Sequence, residues 1–140
     1  MARHGVRRVL TLLCLPAERV FRWLRQPVVV GELLAGIDGV ETPLADDSNH
    51  TRSWFVYVVK LAPEVDRDAV MAELRAEGIG TAEYVPCVHL QPFMREQYGF
   101  HEGMFPVAED ACSRTLALPF YSQIEPGDQE RVVETLQASL

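Results

Sequence analysis

The sequence predicts an α+β domain, with helices packed against a small sheet of three or four strands. A run of aromatic and β-branched residues at 53–61 indicates a strand, and a segment with helical spacing and a capping residue follows at 66–77. Apolar and charged shares of 48% and 24% are typical of globular proteins. With 140 residues, the chain is long enough for one domain with its own core.

The first part of the chain predicts a helix followed by two extended segments. The helix is expected to end at Leu34, before a glycine-rich turn at 36–39 and a short extended piece at 40–42. The strand at 53–61 is apolar on both faces, with Phe55 and Tyr57 on one of them. Such a pattern predicts a central strand that is covered on both sides.

The middle of the chain predicts a strand–helix–strand unit. Asp66 is expected to cap a helix that runs to Glu77, and Gly78 with Ile79 has the form of a glycine stop. The core-facing residues of this helix are expected to be Ala69, Val70 and Leu74. Residues 81–85 are expected to form the next strand, which predicts a right-handed βαβ crossover or a split version of it.

The remaining elements are marked by prolines. Short helices are predicted at 91–98 and 106–113, each with proline in its first turn, where the missing N–H donor is harmless. A short strand at 116–118 and a final helix at about 126–138 follow. The final helix is expected to bury Val132, Val133 and Leu136.

Charge and cysteine content exclude several kinds of function. The net charge is −7, and six arginines lie among residues 1–26 with one acidic residue, so the rest of the chain is strongly acidic. An acidic body repels phosphates, so we expect no nucleic-acid partner. The three cysteines, Cys14, Cys87 and Cys112, form no CxxC pair and indicate a reducing compartment, expected to be the cytoplasm.

Residues 84–120 carry the most specific pattern in the chain. Aromatic, proline and polar residues follow one another in a fixed order: Tyr84, Pro86, His89, Gln91, Pro92, Phe105, Pro106, Ala108, Glu109, Leu116, Leu118 and Pro119. This order resembles the C-terminal small domain of the DegT/DnrJ/StrS sugar aminotransferases, transferases of fold type I that use pyridoxal phosphate. The resemblance covers roughly residues 31–140.

The resemblance implies a role in placing an amino group on a keto sugar attached to a nucleotide, as in polysaccharide biosynthesis. It implies a homodimer in which this domain packs on a large pyridoxal-phosphate domain and helps to form the wall of the nucleotide-sugar pocket. Tyr84 and His89 match the positions on the pocket side, so the resemblance assigns them to substrate binding.

Residues 1–30 fall outside the resemblance and allow three interpretations. The basic start and the apolar run at 9–15 imitate a secretory signal, but no small-x-small cleavage site follows and the run is too short to span a membrane. An Arg-rich amphipathic helix is the second interpretation, with Val6, Val9, Leu10 and Leu13 on one side. The third is a shifted reading frame or a misassigned start, which would make the chain a truncated copy of the enzyme.

The chain contains one lysine, Lys60, at the end of the strand at 53–61. A pyridoxal-phosphate transaminase holds its cofactor as a Schiff base on a lysine amine. The segments around Lys60 do not match those around the family's cofactor lysine, and its amine is expected to lie in water. We therefore expect no cofactor bound by this chain alone and no catalysis; the alternative is a stand-alone ligand-binding or interaction module without enzymatic activity.

Other groupings of polar residues favour ordinary structure. Cys87 and His89 form a CxH pair with too few neighbouring ligands for a metal site. Glu109 and Asp110 are expected to lie on a solvated helix face. The expected loss of the large domain should expose an apolar face that includes some of Tyr84, Val88, Leu90 and Phe93, and such a face favours self-association.

Overall fold

A computed structural model describes residues 28–140. The apolar stripe predicted for residues 1–27, and Cys14 with it, lie outside the described residues. The sheet has three antiparallel strands in the order β1-β2-β3. They are β1 (Val40–Glu41), β2 (Tyr57–Leu61) and β3 (Thr115–Leu118).

The helices lie before, between and after these strands. Residues 28–34 are helical (α1) and are followed by α2 (Arg67–Ala76), a 3₁₀ turn (Val88–Leu90), α3 (Pro92–Tyr98), α4 (Pro106–Arg114) and α5 (Pro126–Ala138). The α+β class and the prolines in the first turns of α3, α4 and α5 are confirmed. No helix within residues 28–140 is long and apolar enough to cross a membrane.

The core lies on one face of the sheet. Tyr57 pairs with Leu118 and Val59 with Leu116, and all four side chains are buried. The apolar faces of α2 and α5 join them in one cluster of buried residues. From the helices, the cluster includes Val70, Met71, Leu74, Val132, Val133 and Leu136. The inward residues predicted for α5 are thus confirmed.

The expected cover on both faces of β2 is wrong for the described residues. Val58 and Lys60 are only half-buried, and the strand begins at Tyr57, four residues later than predicted. Phe55, expected on the same face as Tyr57, is 77% exposed. Apolar residues on both faces make a strand compatible with cover on both sides. They do not by themselves show that a helix or second sheet packs on each face.

Helix α2 has the start and stop that the sequence predicts. The Asp66 side chain accepts hydrogen bonds from the backbone N–H groups of Asp68 and Ala69 at 3.0 and 3.2 Å. At the other end, Gly78 takes φ +76° and the Ile79 N–H donates to the Leu74 carbonyl at 2.9 Å. Ala69 is exposed, contrary to expectation, because the buried stripe runs through Met71 instead.

The split form of the βαβ unit is confirmed, but its second strand is reduced to a single bridge. Ala82 makes an isolated antiparallel bridge to Ala117 of β3, which is itself antiparallel to β2. The chain at Ala82 therefore runs in the same direction as β2, with β3 between them. The strand expected at 81–85 is limited to this bridge.

Replacing Leu74 with alanine should destabilise the domain strongly. Leu74 has 0% exposure between the sheet and α5, and a Leu→Ala change at such a site costs about 2–5 kcal/mol. Leu44, which is 79% exposed, provides a matched control whose replacement should change the free energy of unfolding by less than about 0.5 kcal/mol. Urea unfolding followed by tryptophan fluorescence measures both. Equal effects would contradict the core described above.

Candidate functional site

Between Ala82 and Thr115 the chain leaves the sheet and returns to it. This excursion, residues 83–114, contains the 3₁₀ turn, α3 and α4, and none of its residues is buried. It also contains most of the sequence pattern noted above. The motif side chains therefore belong to a surface segment that the sheet supports at both ends.

His89 and Glu109 meet within the excursion. His89 Nε2 lies 3.0 Å from Glu109 Oε1, and the two side chains are only 11% and 22% exposed. The expectation of a solvated face is therefore wrong for Glu109. Its carboxylate has turned back from α4 towards the preceding loop.

Backbone donors hold the Glu109 carboxylate in place. The N–H of Gly103 donates to Oε2 at 2.9 Å, and the N–H of Phe105 donates to Oε1 at 3.1 Å. Phe105 is the N-cap of α4, so Glu109 reaches back to the open start of its own helix, much as the glutamate of a capping box does. These backbone hydrogen bonds, and then the one with His89, lower the pKa of Glu109.

Aromatic rings extend from His89 along the excursion. The rings of His89 and Phe105 pack edge to face, with centroids 4.9 Å apart. Phe105 packs edge to face on Phe100 at 5.5 Å, Phe100 stacks on Tyr98 at 5.6 Å, and Tyr98 meets Phe93 at 6.4 Å. These rings support one another, and Phe93, Tyr98 and Phe105 remain exposed.

Tyr84 lies at the start of the excursion and is exposed. Its ring packs on Phe55 with centroids 6.5 Å apart. The expected exposure of an apolar face is confirmed for Tyr84, Val88 and Phe93, whereas Leu90 is half-buried. Self-association through this face stays a prediction.

Lys60 does not hold its amine free in water. Its Nζ lies 3.2 Å from Asp110 Oδ2, and the side chain is 30% exposed. Arg114 donates from Nε to Asp110 Oδ1 at 2.8 Å, makes a second contact through Nη2, and donates from Nη1 to the Leu61 carbonyl at 3.0 Å. Arg114, and then Lys60, lower the pKa of Asp110 to about 2.

The surroundings of Lys60 do not fit pyridoxal phosphate. Lys60 lines a cavity of about 320 Å³ together with Glu41, Val58 and Tyr84. The amine is already paired with Asp110, and the lining that would face a cofactor phosphate includes the Glu41 carboxylate. Lysine alone, without a cradle of donors for the phosphate, does not make a cofactor site.

Within the described part of the chain, the thiols and the remaining histidines form no metal centre. Cys87 Sγ faces the Ala108 carbonyl at 3.9 Å, and burial, followed by the neighbouring Cys112 thiol, raises the pKa of Cys87 to about 11. The His101 ring donates to the Glu102 carbonyl at 2.9 Å. Across residues 28–140, no three His, Cys, Asp or Glu side chains are grouped so that they could hold a metal ion.

A second, larger cavity lies away from the motif residues. It has a volume of about 690 Å³ and lies between α1 and the loop at 42–54. Trp54 and Tyr57, whose rings stack with centroids 5.4 Å apart, line it, together with Pro43 and Leu44. Its lining is largely apolar, and it contains neither Tyr84 nor His89.

Comparison with known proteins identifies the family. The sequence model of the DegT/DnrJ/EryC1/StrS aminotransferase family matches residues 25–137. The chain is 33% identical over 106 residues to the spore coat polysaccharide biosynthesis protein SpsC of Bacillus subtilis (strain 168), covering 72% of this chain and 27% of SpsC. It is 33% identical over 108 residues to dTDP-4-dehydro-2,3,6-trideoxy-D-glucose 4-aminotransferase of Saccharopolyspora spinosa, covering 77% of this chain and 26% of that enzyme.

Comparison with solved structures gives the same result for the fold. The aminotransferase TlmJ from Streptoalloteichus hindustanus superposes with a TM-score of 0.73 at 29% identity, over 86% of this chain and 31% of TlmJ. The fold is thus that of a part of the sugar aminotransferases. The chain belongs to the DegT/DnrJ/EryC1/StrS aminotransferase family and spans roughly a quarter to a third of the length of these relatives. The boundary predicted after residue 30 stays a prediction, with the match beginning at residue 25.

Removing the Asp110 carboxylate should make the free energy of unfolding depend less on pH under acidic conditions. The pKa of Asp110 is depressed in the folded chain, so its contribution is fully present above the unfolded value near 3.8 and is lost as the pH falls towards 2. The difference in the free energy of unfolding between wild type and Asp110→Asn should therefore shrink over that window. Glu96→Gln, at an exposed position of α3, is the control. A difference that does not vary with pH would contradict the ion-paired role of Asp110.

Proposed function

We propose that this chain acts as the substrate-facing small domain of an enzyme that transfers an amino group to a keto sugar attached to a nucleotide. Family membership supports the reaction class, and the Saccharopolyspora relative carries the name of such an enzyme. One observation carries the assignment of the site. The half-buried His89 is held by a carboxylate and packs on the exposed Phe105 ring, and it does not contribute to the core.

The chemistry of the excursion suits a sugar nucleotide. Exposed rings such as Phe93 and Tyr98 offer flat apolar faces on which a base or the apolar side of a sugar stacks. His89 and the Tyr84 hydroxyl offer polar atoms to the hydroxyl groups of the sugar. A few polar groups within a largely apolar wall are typical of small-molecule sites.

Catalysis is not part of this proposal for the chain by itself. The Lys60 amine is paired with Asp110 and has no cradle of phosphate donors around it, so we propose that the described domain holds no pyridoxal phosphate. The cofactor site and the homodimer belong to the complete enzyme of the family. We propose a cytoplasmic location for the enzyme, and the free thiols of Cys87 and Cys112 are compatible with it.

A stand-alone module without enzymatic activity is the second candidate. The pairing of Lys60 with Asp110 fits this candidate as well as it fits a domain that depends on another part of the enzyme for catalysis. In a module of this kind, the exposed rings of the excursion would bind a partner or a second copy of the chain. The two candidates differ in the ligand that His89 meets.

A nucleotide sugar should bind at the excursion. On titration of dTDP-glucose into the ¹⁵N-labelled chain, the amide signals around His89 and Tyr84 should shift. His89→Gln should weaken binding about 2–10-fold, since one neutral hydrogen bond contributes about 0.5–1.5 kcal/mol. His50, on an exposed loop and paired with Asp47, is the matched control, and His50→Gln should leave binding unchanged. Shifts confined to the Trp54 cavity, or equal effects of the two variants, would count against the proposal.

Lys60 should remain unlabelled by pyridoxal phosphate. The chain is incubated with the cofactor, reduced with borohydride and mapped by mass spectrometry, with Lys60→Arg as the control. We expect the two proteins to give the same absorption and the same labelled peptides, because the amine is occupied by Asp110. A pyridoxyl group on Lys60 at a level above general amine labelling would show that the chain does hold the cofactor.

A further inference from the structure

We propose that Glu109 is a positioning residue: by accepting the Nε2–H of His89, it leaves Nδ1 of the neutral ring as the acceptor that faces a hydroxyl group of the ligand. The ligand half of this proposal rests on the proposed function above. The positioning half rests on the contacts of two side chains within the described chain.

The first step concerns the proton between the two side chains. Glu109 Oε1 lies 3.0 Å from His89 Nε2, which is hydrogen-bonding distance. An ionised carboxylate only accepts hydrogen bonds, so the ring nitrogen must carry the hydrogen. In a neutral imidazole the other nitrogen is then an acceptor, which makes Nδ1 the free lone pair.

The second step concerns which residue holds the other. Glu109 has its own supports, because the backbone N–H groups of Gly103 and Phe105 donate to it at 2.9 and 3.1 Å. Its place in the first turn of α4 favours the negative charge through the helix dipole. The orientation of the carboxylate is thus set by the backbone, and His89 adapts to it.

The third step concerns the orientation of the ring. Phe105 meets the His89 ring at 66° with centroids 4.9 Å apart, and Phe105 itself packs on Phe100. A hydrogen bond at one nitrogen and an aromatic contact together limit rotation of the imidazole. Among residues 28–140, the hydrogen bond that the His89 ring makes is the one at Nε2. Nδ1 is therefore free to accept from a ligand.

Within residues 28–140, a second histidine–carboxylate pair has a different arrangement. His50 meets Asp47 through Nδ1 at 3.0 Å, three residues apart on a loop, and both side chains are largely exposed. Asp47 lies in the same local turn and accepts backbone N–H groups of Asn49 and His50. That pair is exposed to water, which competes for both ring nitrogens, so it serves as an internal control.

The test observes the ring nitrogens of His89 directly. Long-range ¹H–¹⁵N correlation spectra of the purified chain, recorded at a pH where the rings are neutral, distinguish the two tautomers. We expect His89 to be in the Nε2–H form and to become a mixture in Glu109→Ala. Glu109→Gln should retain the Nε2–H form, because its amide oxygen still accepts, and Asp110→Ala should not affect the tautomer. Backbone amide shifts of β2 and β3 confirm that each variant is folded.

A second measurement adds dTDP-glucose to the same samples. In the wild type the Nδ1 signal should shift, and Glu109→Ala should weaken binding by about the same 2–10-fold as His89→Gln. An Nδ1–H form, or a mixture in the wild type, would overturn the positioning role. A fixed tautomer with no response of Nδ1 to dTDP-glucose would instead overturn the ligand and with it the proposed function. Weaker binding by Glu109→Ala with the tautomer unchanged would also overturn the positioning role.

Discussion

Antiparallel pairing joins Tyr57 to Leu118 and Val59 to Leu116, and so ties two strands that lie far apart along the chain. Helices α2 and α5 pack on the buried side chains of these two strands, β2 and β3. Because β3 must return beside β2, the residues between them have to leave the sheet at one point and re-enter it at another. The bridge from Ala82 to Ala117 fixes the first point, and Thr115 fixes the second. The position of the excursion is thus a consequence of the pairing of β3 with β2 and of its bridge to Ala82.

Helix α4 connects the paired strands to the candidate site. Near its end, Arg114 donates to the Leu61 carbonyl, and Arg67 of α2 donates to the carbonyls of Cys112 and Thr115 at 3.3 and 3.2 Å. The Arg67 guanidinium thereby satisfies the Cys112 carbonyl, which lies in the last turn of α4 and has no partner within the helix. At its start, the same helix carries Glu109. A short rigid element therefore connects the sheet to His89, so the ring is held by the fold although it lies in an exposed segment.

The parts of the fold that local chemistry specifies are the parts that could be predicted from the sequence. Asp66, Gly78 and the prolines at helix starts act on their immediate neighbours, so they mark boundaries that the structure reproduces closely. The contacts of Lys60 with Asp110 and of His89 with Glu109 join residues distant in sequence, and no periodicity links such pairs. The pair of His89 and Glu109 has one local signal in the sequence, a glutamate shortly after Phe105 and Pro106. Carboxylates near a helix start often reach back to it.

The excursion contributes no buried residue to the core, although it carries most of the motif side chains. The side chains that form the core and those of the excursion are therefore separate sets of positions. Rings such as Phe93 and Tyr98 are free to be exchanged, or the loop around Gly103 lengthened, without removing a side chain from the cluster around Val59 and Leu74. A small domain of this construction is a stable platform on which an exposed segment can diverge at little cost in stability.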